Sequence, residues 1–93
     1  MKRRLEIIHL RITGVRPPGL VSLIQKSITD LEGPAEIRIY HHRGVTTDLG
    51  IHIHLETSIR DPRFTELGLR LASSLREYGM IEHRIWLEEN ETE

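Results

Sequence analysis

The 93-residue chain contains no cysteine, which excludes a disulfide framework, a thiolate nucleophile and a zinc site built on thiolates. Its charges nearly cancel, with 13 Lys and Arg against 14 Asp and Glu. No bulk attraction to nucleic acid or to an anionic membrane is therefore expected. No apolar run approaches the roughly 18 residues that a membrane-spanning helix needs. The basic residues 1–4 are not followed by the apolar segment of a secretory signal, so we expect a soluble cytoplasmic protein.

The sequence also lacks the short motifs of several enzyme classes. It has no G-x-S-x-G elbow for acyl transfer. Segment 14–19, GVRPPG, is neither a Walker loop nor a dinucleotide fingerprint, because those motifs have other spacings. Histidine, in contrast, is abundant, with six residues whose imidazoles titrate near neutral pH. A domain this small buries only roughly 60–65% of its unfolded surface, so oligomerisation is also expected.

Two periodicities alternate along the chain and predict its fold. Apolar and polar residues alternate as in strands over 5–13, 35–42, 49–57 and 81–87. Helical spacing of apolar residues begins at Leu20 and ends at Gly33-Pro34, and begins again at Asp61-Pro62 and ends at Gly79. The order βαββαβ, with a hairpin turn over 43–48, predicts a single α+β domain over 1–93. We expect a ferredoxin-like sandwich with a four-stranded antiparallel sheet in order 4-1-3-2 and both helices on one face.

Opposite charges at the two ends of the chain agree with this strand order. The start of the first strand then lies beside the end of the fourth. Basic side chains there are expected to face acidic ones, an arrangement that favours the pairing. The basic residues are Lys2, Arg3 and Arg4, and the acidic ones are Glu88, Glu89 and Glu91. The acidic tail, 89–93, is expected to fray.

Alternation also defines the sheet face that the helices leave uncovered, called the open face below. It carries histidines, arginines and the only tryptophan, a composition typical of a partner or ligand surface. We therefore expect a homodimer that meets face to face or edge to edge. The open face consists of Ile7, His9, Arg11, Arg38, Tyr40, His42, His52, His54, Glu56, Glu82, Arg84 and Trp86. Of these, we expect Arg11, Arg38, Tyr40, Arg84 and Trp86 at the interface.

Three histidines on the open face form a candidate metal site. His52 and His54 project from the same side of one strand, and His9 lies on the neighbouring strand. With Glu56 they would suit zinc or another divalent metal, or the imidazoles would serve as acid and base in an enzyme. The alternative is a polar sheet face that binds no metal. The remaining histidines are assigned to the hairpin turn (His41 and His42) and to the rim of the helix-covered side (His83).

Segment 16–28, RPPGLVSLIQKSI, resembles the start of an ACT domain. In that family a strand is followed by an Asp-Arg-Pro-Gly-like turn and a helix with the pattern Gly-Leu-x-x-x-Ile-x-x-x-Leu. Gly19, Leu20, Ile24 and Ile28 match that pattern, whereas Val15 stands where the family often has Asp, and an extra proline follows Arg16. The resemblance implies a dimerising regulatory module with an amino-acid-like ligand in the loop Gly14, Val15, Arg16, Pro17, Pro18, Gly19 and Leu20.

Three functions remain open at this point. The leading one is a non-catalytic, homodimeric ACT-like module that binds a small anionic metabolite at this loop and regulates a separate protein. The loop suits an anion, because backbone amides at a helix start and Arg16 both attract negative charge. The second is a His-lined metal-binding or enzymatic dimeric α+β barrel, a group with a similar sheet order. The third is a purely structural dimer. RNA recognition is disfavoured, because the two central strands carry His and Ile where stacking aromatic residues are expected.

Overall fold

The computed structural model describes residues 2–29, 36–45, 47–57 and 63–89 of the chain. In these ranges the predicted βαββαβ order is found. The elements are β1 (Lys2–Arg11), α1 (Leu20–Thr29), β2 (Glu36–His41), β3 (Leu49–Thr57), α2 (Glu66–Leu75) and β4 (Met80–Leu87), with a single 3-10 turn (Arg76–Tyr78) before β4. No helix within these ranges is long and apolar enough to cross a membrane.

The four strands form one antiparallel sheet in the order β2-β3-β1-β4. Counted from the β4 edge, the same order reads 4-1-3-2. The central strand β1 pairs on both sides, so Leu10 lies opposite Leu49 of β3 and Ile81 of β4. A four-stranded antiparallel sheet with two helices makes this an α+β fold, compatible with a ferredoxin-like sandwich.

One face of the sheet and both helices share a single hydrophobic core. Side chains alternate along a strand, so β1 and β3 each send every second residue to this face. The enclosed strand residues pack with apolar residues of α1 and of α2, which places both helices on the same side of the sheet. The core consists of Ile8, Leu10, Ile12, Leu20, Ile24, Leu49, Ile51, Ile53, Leu71, Ala72 and Leu75.

A carboxylate also lies inside this core. The alternation that turns Ile8 inward also turns Glu6 inward, where its side chain has no exposure to solvent. Glu6 Oε1 accepts hydrogen bonds from the Thr65 N–H (3.0 Å) and the Thr65 hydroxyl (2.8 Å). Glu6 Oε2 accepts one from His83 Nε2 (2.6 Å). Since a buried carboxylate is tolerated only when it is hydrogen-bonded, these contacts tie β1, β4 and the start of α2 together.

The predicted start of the second helix is wrong. Asp61-Pro62 lies outside the described residues, and α2 begins at Glu66 with Thr65 as its N-cap, whose side chain accepts the Gly68 N–H at 2.9 Å. Thr65 is selected because Glu6 anchors its N–H and its hydroxyl. Phe64, which falls within the predicted helix but precedes α2, stacks on the His83 ring with centroids 3.6 Å apart. His83 is thus enclosed, with 11% of its side chain exposed, and is not a rim residue.

Strand and helix ends differ from the sequence boundaries by a few residues. The first strand covers Lys2–Arg11 instead of 5–13, and β2 ends at His41. The predicted end of the first helix at Gly33-Pro34 lies outside the described residues. At Gly79, the predicted end of the second helix, a Cβ would overlap the backbone carbonyl of Arg11. Glycine at this position therefore permits close packing of β4 on β1.

The ends of β1 and β4 are neighbours as expected, but the expected charge pairing does not include Arg4. The strands do adjoin there, since the Glu88 N–H donates to the Arg3 carbonyl at 2.9 Å. Arg4, however, turns to the helix-covered face and is 7% exposed. Its Nε and Nη2 have no hydrogen-bond partner in the described part of the chain. Side chains alternate along β1, so Arg4 points away from the surface that carries the acidic residues. Glu91 lies outside the described residues.

Gly68→Ala is expected to destabilise the protein, because a Cβ at this position would overlap the Glu6 carboxylate. We expect the free energy of unfolding to fall by about 3 kcal/mol, even though alanine favours a helix over glycine by about 1 kcal/mol. Urea denaturation followed by circular dichroism measures the change. Gly44→Ala is the matched control, since its Cβ would meet the His42 ring at an ordinary 3.6 Å. Equal losses in the two variants would contradict the role assigned to Glu6.

Candidate functional site

A groove opens on the open face where β3 lacks a side chain. Gly50 lies directly opposite His9 of β1 and Tyr40 of β2, so its missing side chain leaves a notch between them. The notch belongs to a cavity of about 210 Å³, called the histidine groove below. It is lined by Ile7, His9, Tyr40, His41, His42, Asp48, Leu49, Gly50 and His52.

His9 is held in place by carboxylates on both sides. Its Nε2 lies 3.2 Å from Oδ2 of Asp48, a largely buried residue just before β3. An ionised carboxylate only accepts hydrogen bonds, so Nε2–H is the donor. On the other side of the ring, His9 Nδ1 lies 3.9 Å from Glu82 Oε2. Asp48 also has a second basic neighbour, since Arg11 Nε lies 3.8 Å from Asp48 Oδ2. The ring is therefore oriented by its neighbours and half-exposed toward the groove.

His42 is fixed in one tautomer by the hairpin turn. Its Nδ1 accepts the N–H groups of Gly44 (3.0 Å) and Val45 (3.1 Å), so the ring proton resides on Nε2. The assignment of His42 to the turn is thus confirmed, whereas its assignment to the open face of the strand is wrong, because β2 ends one residue earlier. His41, assigned to the turn, is the last residue of β2. The imidazoles of His41 and His42 and the phenol of Tyr40 give the groove several hydrogen-bond donors.

His52 lies between Tyr40 and His54 on the open face. Ring centroids are 4.5 Å apart for Tyr40 and His52, and 6.4 Å apart for His52 and His54. Burial, and to a lesser extent repulsion from His54, lowers the pKa of His52 below its ordinary value of 6.5. His52 is therefore neutral at pH 7. Nε2 of His54 is buried and has no hydrogen-bond partner among the described residues.

The predicted metal ligands are not brought together. The register places His9 opposite Gly50, while His52 faces Ile7 and His54 faces Leu5. Within the described ranges, no group of three or more His, Asp or Glu side chains is arranged to hold a metal ion. The side chain of Glu56, the fourth predicted ligand, lies outside the described part of the structure.

The predicted ligand loop, Gly14 to Leu20, joins β1 to α1. Gly14 (φ 90°) and Gly19 (φ 79°) adopt the left-handed backbone that glycine favours, and α1 begins directly afterwards at Leu20. Val15 is exposed, Arg16 and Pro17 are half-buried, and Pro18 is exposed. None of the loop residues lines the histidine groove, although both features lie at the same end of the sheet. The ligand-binding role of the loop stays a prediction.

The residues expected at an interface all lie on the open face. Trp86 is 57% and Tyr40 45% exposed. The three arginines are exposed as well, and each has an acidic neighbour. Their contacts are Arg38 with Glu36, Arg84 Nη2 with Glu82 Oε2 at 3.4 Å, and Arg11 Nη1 with Glu82 Oε1 at 3.9 Å. The open face is thus a charged surface with aromatic residues, as alternation predicted.

Sequence reasoning missed two residues that shape the groove. Asp48 was assigned to a turn, and Gly50 was one more member of a polar strand face. A glycine inside an alternating strand is itself a signal for a notch or a close approach, and it marked this position. Asp48 carried no such signal, since its contact with His9 spans 39 positions of sequence.

Comparisons with known proteins add no relative: no family model, no curated protein and no solved structure matches the chain. The resemblance of segment 16–28 to the start of an ACT domain therefore stays a prediction. The functional argument consequently depends on the geometry of the groove and of the loop.

His52 is expected to titrate below pH 6.5 in a two-dimensional NMR pH series. In His54→Gln its midpoint should rise and still remain below 6.5, because burial is the larger cause. A lowered pKa in the folded state means that protonation favours unfolding, so the free energy of unfolding should decrease as pH falls from about 6.5 through the folded-state pKa of His52. His41→Gln should leave the midpoint unchanged. A midpoint at or above 6.5 in the wild-type chain would contradict this assignment.

Proposed function

We propose that the chain is a small-molecule-binding module with a ferredoxin-like fold, and that the histidine groove binds a small anion such as a carboxylate-bearing metabolite. The observation that supports it is the convergence of four histidines and Tyr40 around the notch at Gly50. A volume of about 210 Å³ suits a ligand of amino-acid size, since sites for drug-sized ligands span about 300–1,000 Å³.

The donors around the notch favour an anionic ligand over a cationic one. The turn engages only Nδ1 of His42, which leaves its Nε2–H as a donor. Neutral His52 and the phenol of Tyr40 each supply one further donor. Arg11 and Arg38 stand two residues from His9 and Tyr40 on the same face, but the carboxylates of Glu82 and Glu36 lie beside them, so the hydrogen-bond donors, and not a net positive charge, favour the anion. The one carboxylate in the lining, Asp48, is already engaged by His9. A ligand carboxylate therefore finds several hydrogen-bond donors in the groove.

Gly50→Val is expected to abolish ligand binding while the sheet is retained, because valine favours strands, its side chain fills the notch, and its Cβ, 3.3 Å from His52 Nε2, would displace the His52 ring. Isothermal titration calorimetry against a panel of amino acids and small mono- and dicarboxylates measures the effect. His42→Asn should weaken binding about tenfold by removing one directed donor. Lys26→Gln on α1, an exposed residue outside the groove lining, is the control. Binding that survives Gly50→Val unchanged, or no heat from any member of the panel, would overturn the proposal.

The loop between β1 and α1 is a second candidate for the same class of ligand. It is favoured by the left-handed Gly14 and Gly19, which present the backbone at the start of α1, and by the cationic Arg16 beside it. In this form the chain would be an ACT-like homodimeric module that regulates a separate protein. The groove is preferred because it forms a cavity to which several side-chain donors contribute.

Arg16→Ala separates the two sites. If the ligand lies in the groove, the variant should bind the panel with the affinity of the wild-type chain. A loss of at least about tenfold in Arg16→Ala, with binding retained in Gly50→Val, would instead assign the ligand to the loop. The same calorimetric panel measures both variants, and a circular dichroism spectrum confirms that each is folded.

A further inference from the structure

Among the described residues, the outer backbone edge of β4 is unpaired. This strand pairs with β1 on its inner side, and no strand of the described residues pairs with its outer side. The Glu88 N–H donates to Arg3 across the inner pair, so the even-numbered residues of β4 direct their backbone groups toward β1. The outward groups belong to Ile81, His83, Ile85 and Leu87. Eight residues without proline make this an unprotected edge of the kind that recruits another strand.

We propose that β4 pairs antiparallel with β4 of a second copy of this chain, in the register centred on His83. The outward backbone groups of Ile81 then meet those of Ile85 in the other copy, and His83 meets His83. The two four-stranded sheets join into one continuous sheet of eight strands. The pair is isologous, because each copy offers the same surface to the other.

Charge selects this register among its neighbours. With His83 at the two-fold axis, Glu82 lies opposite Arg84 of the second copy, and this pair occurs twice by symmetry. A shift that places residue 82 on the axis sets Glu82 against Glu82. A shift that places residue 84 there sets Arg84 against Arg84. Like charges directly opposite in a sheet are destabilising, so the neighbouring registers are disfavoured.

The same register covers Met80 and Trp86, the two most exposed apolar residues of β4. Met80 (66% exposed) lies opposite Trp86 (57% exposed) of the second copy on the open face. A thioether against an indole ring is a favourable contact. On the other face, half-buried Ile81 lies opposite Ile85. A cavity of about 410 Å³ lies along this strand and provides space for a second chain at the edge. It is lined by Phe64 and by residues 83–86 of β4.

The opposite edge strand offers a weaker match. Glu36 and Arg38 of β2 repeat the Glu-x-Arg pattern, but Arg38 Nε donates to Glu36 Oε1 at 2.7 Å within the strand, a closer contact than the 3.4 Å between Arg84 Nη2 and Glu82 Oε2 of β4. A register centred on Ile37 would also lie at the beginning of the six-residue strand. In β4 the centre of the pattern lies near the middle of the strand, so residues 80–86 all pair.

This pairing does not depend on the proposed ligand site. The histidine groove is formed by β1, β3, β2 and the turn after β2, and it remains open when β4 is covered. Disruption of the dimer therefore leaves the groove lining in place, and sedimentation and calorimetry measure the two properties separately.

Charge reversal on β4 tests the register directly. Sedimentation equilibrium should show a dimer for the wild-type chain. Glu82→Arg alone, or Arg84→Glu alone, should raise the dissociation constant by at least about tenfold, because each creates two like-charged pairs. The chain carrying both changes should dimerise again. A mixture of the two single variants should form a heterodimer, since both cross-strand pairs then become attractive.

The control is Glu36→Arg on β2, which makes the same substitution in the same pattern and should leave the dimer unchanged. Trp86, the only tryptophan of the chain, adds a second readout: its fluorescence should shift to longer wavelength on dilution of the wild-type protein. Circular dichroism confirms that each variant is folded. A monomeric wild-type chain, single variants that dimerise like the wild type, or a dimer lost only in Glu36→Arg would overturn the proposal.

Discussion

The buried carboxylate of Glu6 is the constraint on which the rest of this structure depends. A charge fully removed from water costs several kcal/mol unless it is hydrogen-bonded, and here its partners come from β4 and from the start of α2. Moving either element relative to β1 would leave the charge without them. The carboxylate thus determines where α2 begins, requires a residue without a side chain at Gly68, and fixes His83 against Phe64.

The central strand β1 carries a carboxylate–imidazole pair on each of its faces. On the core side Glu6 meets His83, and their side chains are 0% and 11% exposed. On the open side His9 meets Asp48, and there the imidazole is 34% exposed. The same chemistry therefore has two consequences. The enclosed pair can only stabilise the fold, whereas the imidazole of the half-exposed pair is accessible to a ligand in the histidine groove.

Strand alternation and helical spacing together were sufficient to predict the element order and the sheet order. Among the described residues, alternation also assigned the open face apart from His42, because side-chain direction in a strand is a local property. The start of α2 was not predictable in this way. Asp61-Pro62 is a strong local signal for a helix start, and it was outweighed by a contact between Glu6 and Thr65 that spans 59 positions. The groove was missed for a related reason: whether a glycine opens a notch depends on its cross-strand neighbours, and Gly50 matters because His9 and Tyr40 flank it.

Glu82 connects the two surfaces that the open face presents. Its carboxylate lies 3.9 Å from His9 Nδ1 at the groove side and 3.4 Å from Arg84 Nη2 at the β4 edge. In the proposed pairing Arg84 of a second copy approaches the same carboxylate. Positive charge from the neighbouring chain would then offset the negative charge that Glu82 places beside His9. Because repulsion of an anion by Glu82 would decrease, formation of the dimer should favour an anionic ligand in the groove, and binding of that ligand should favour the dimer to the same extent.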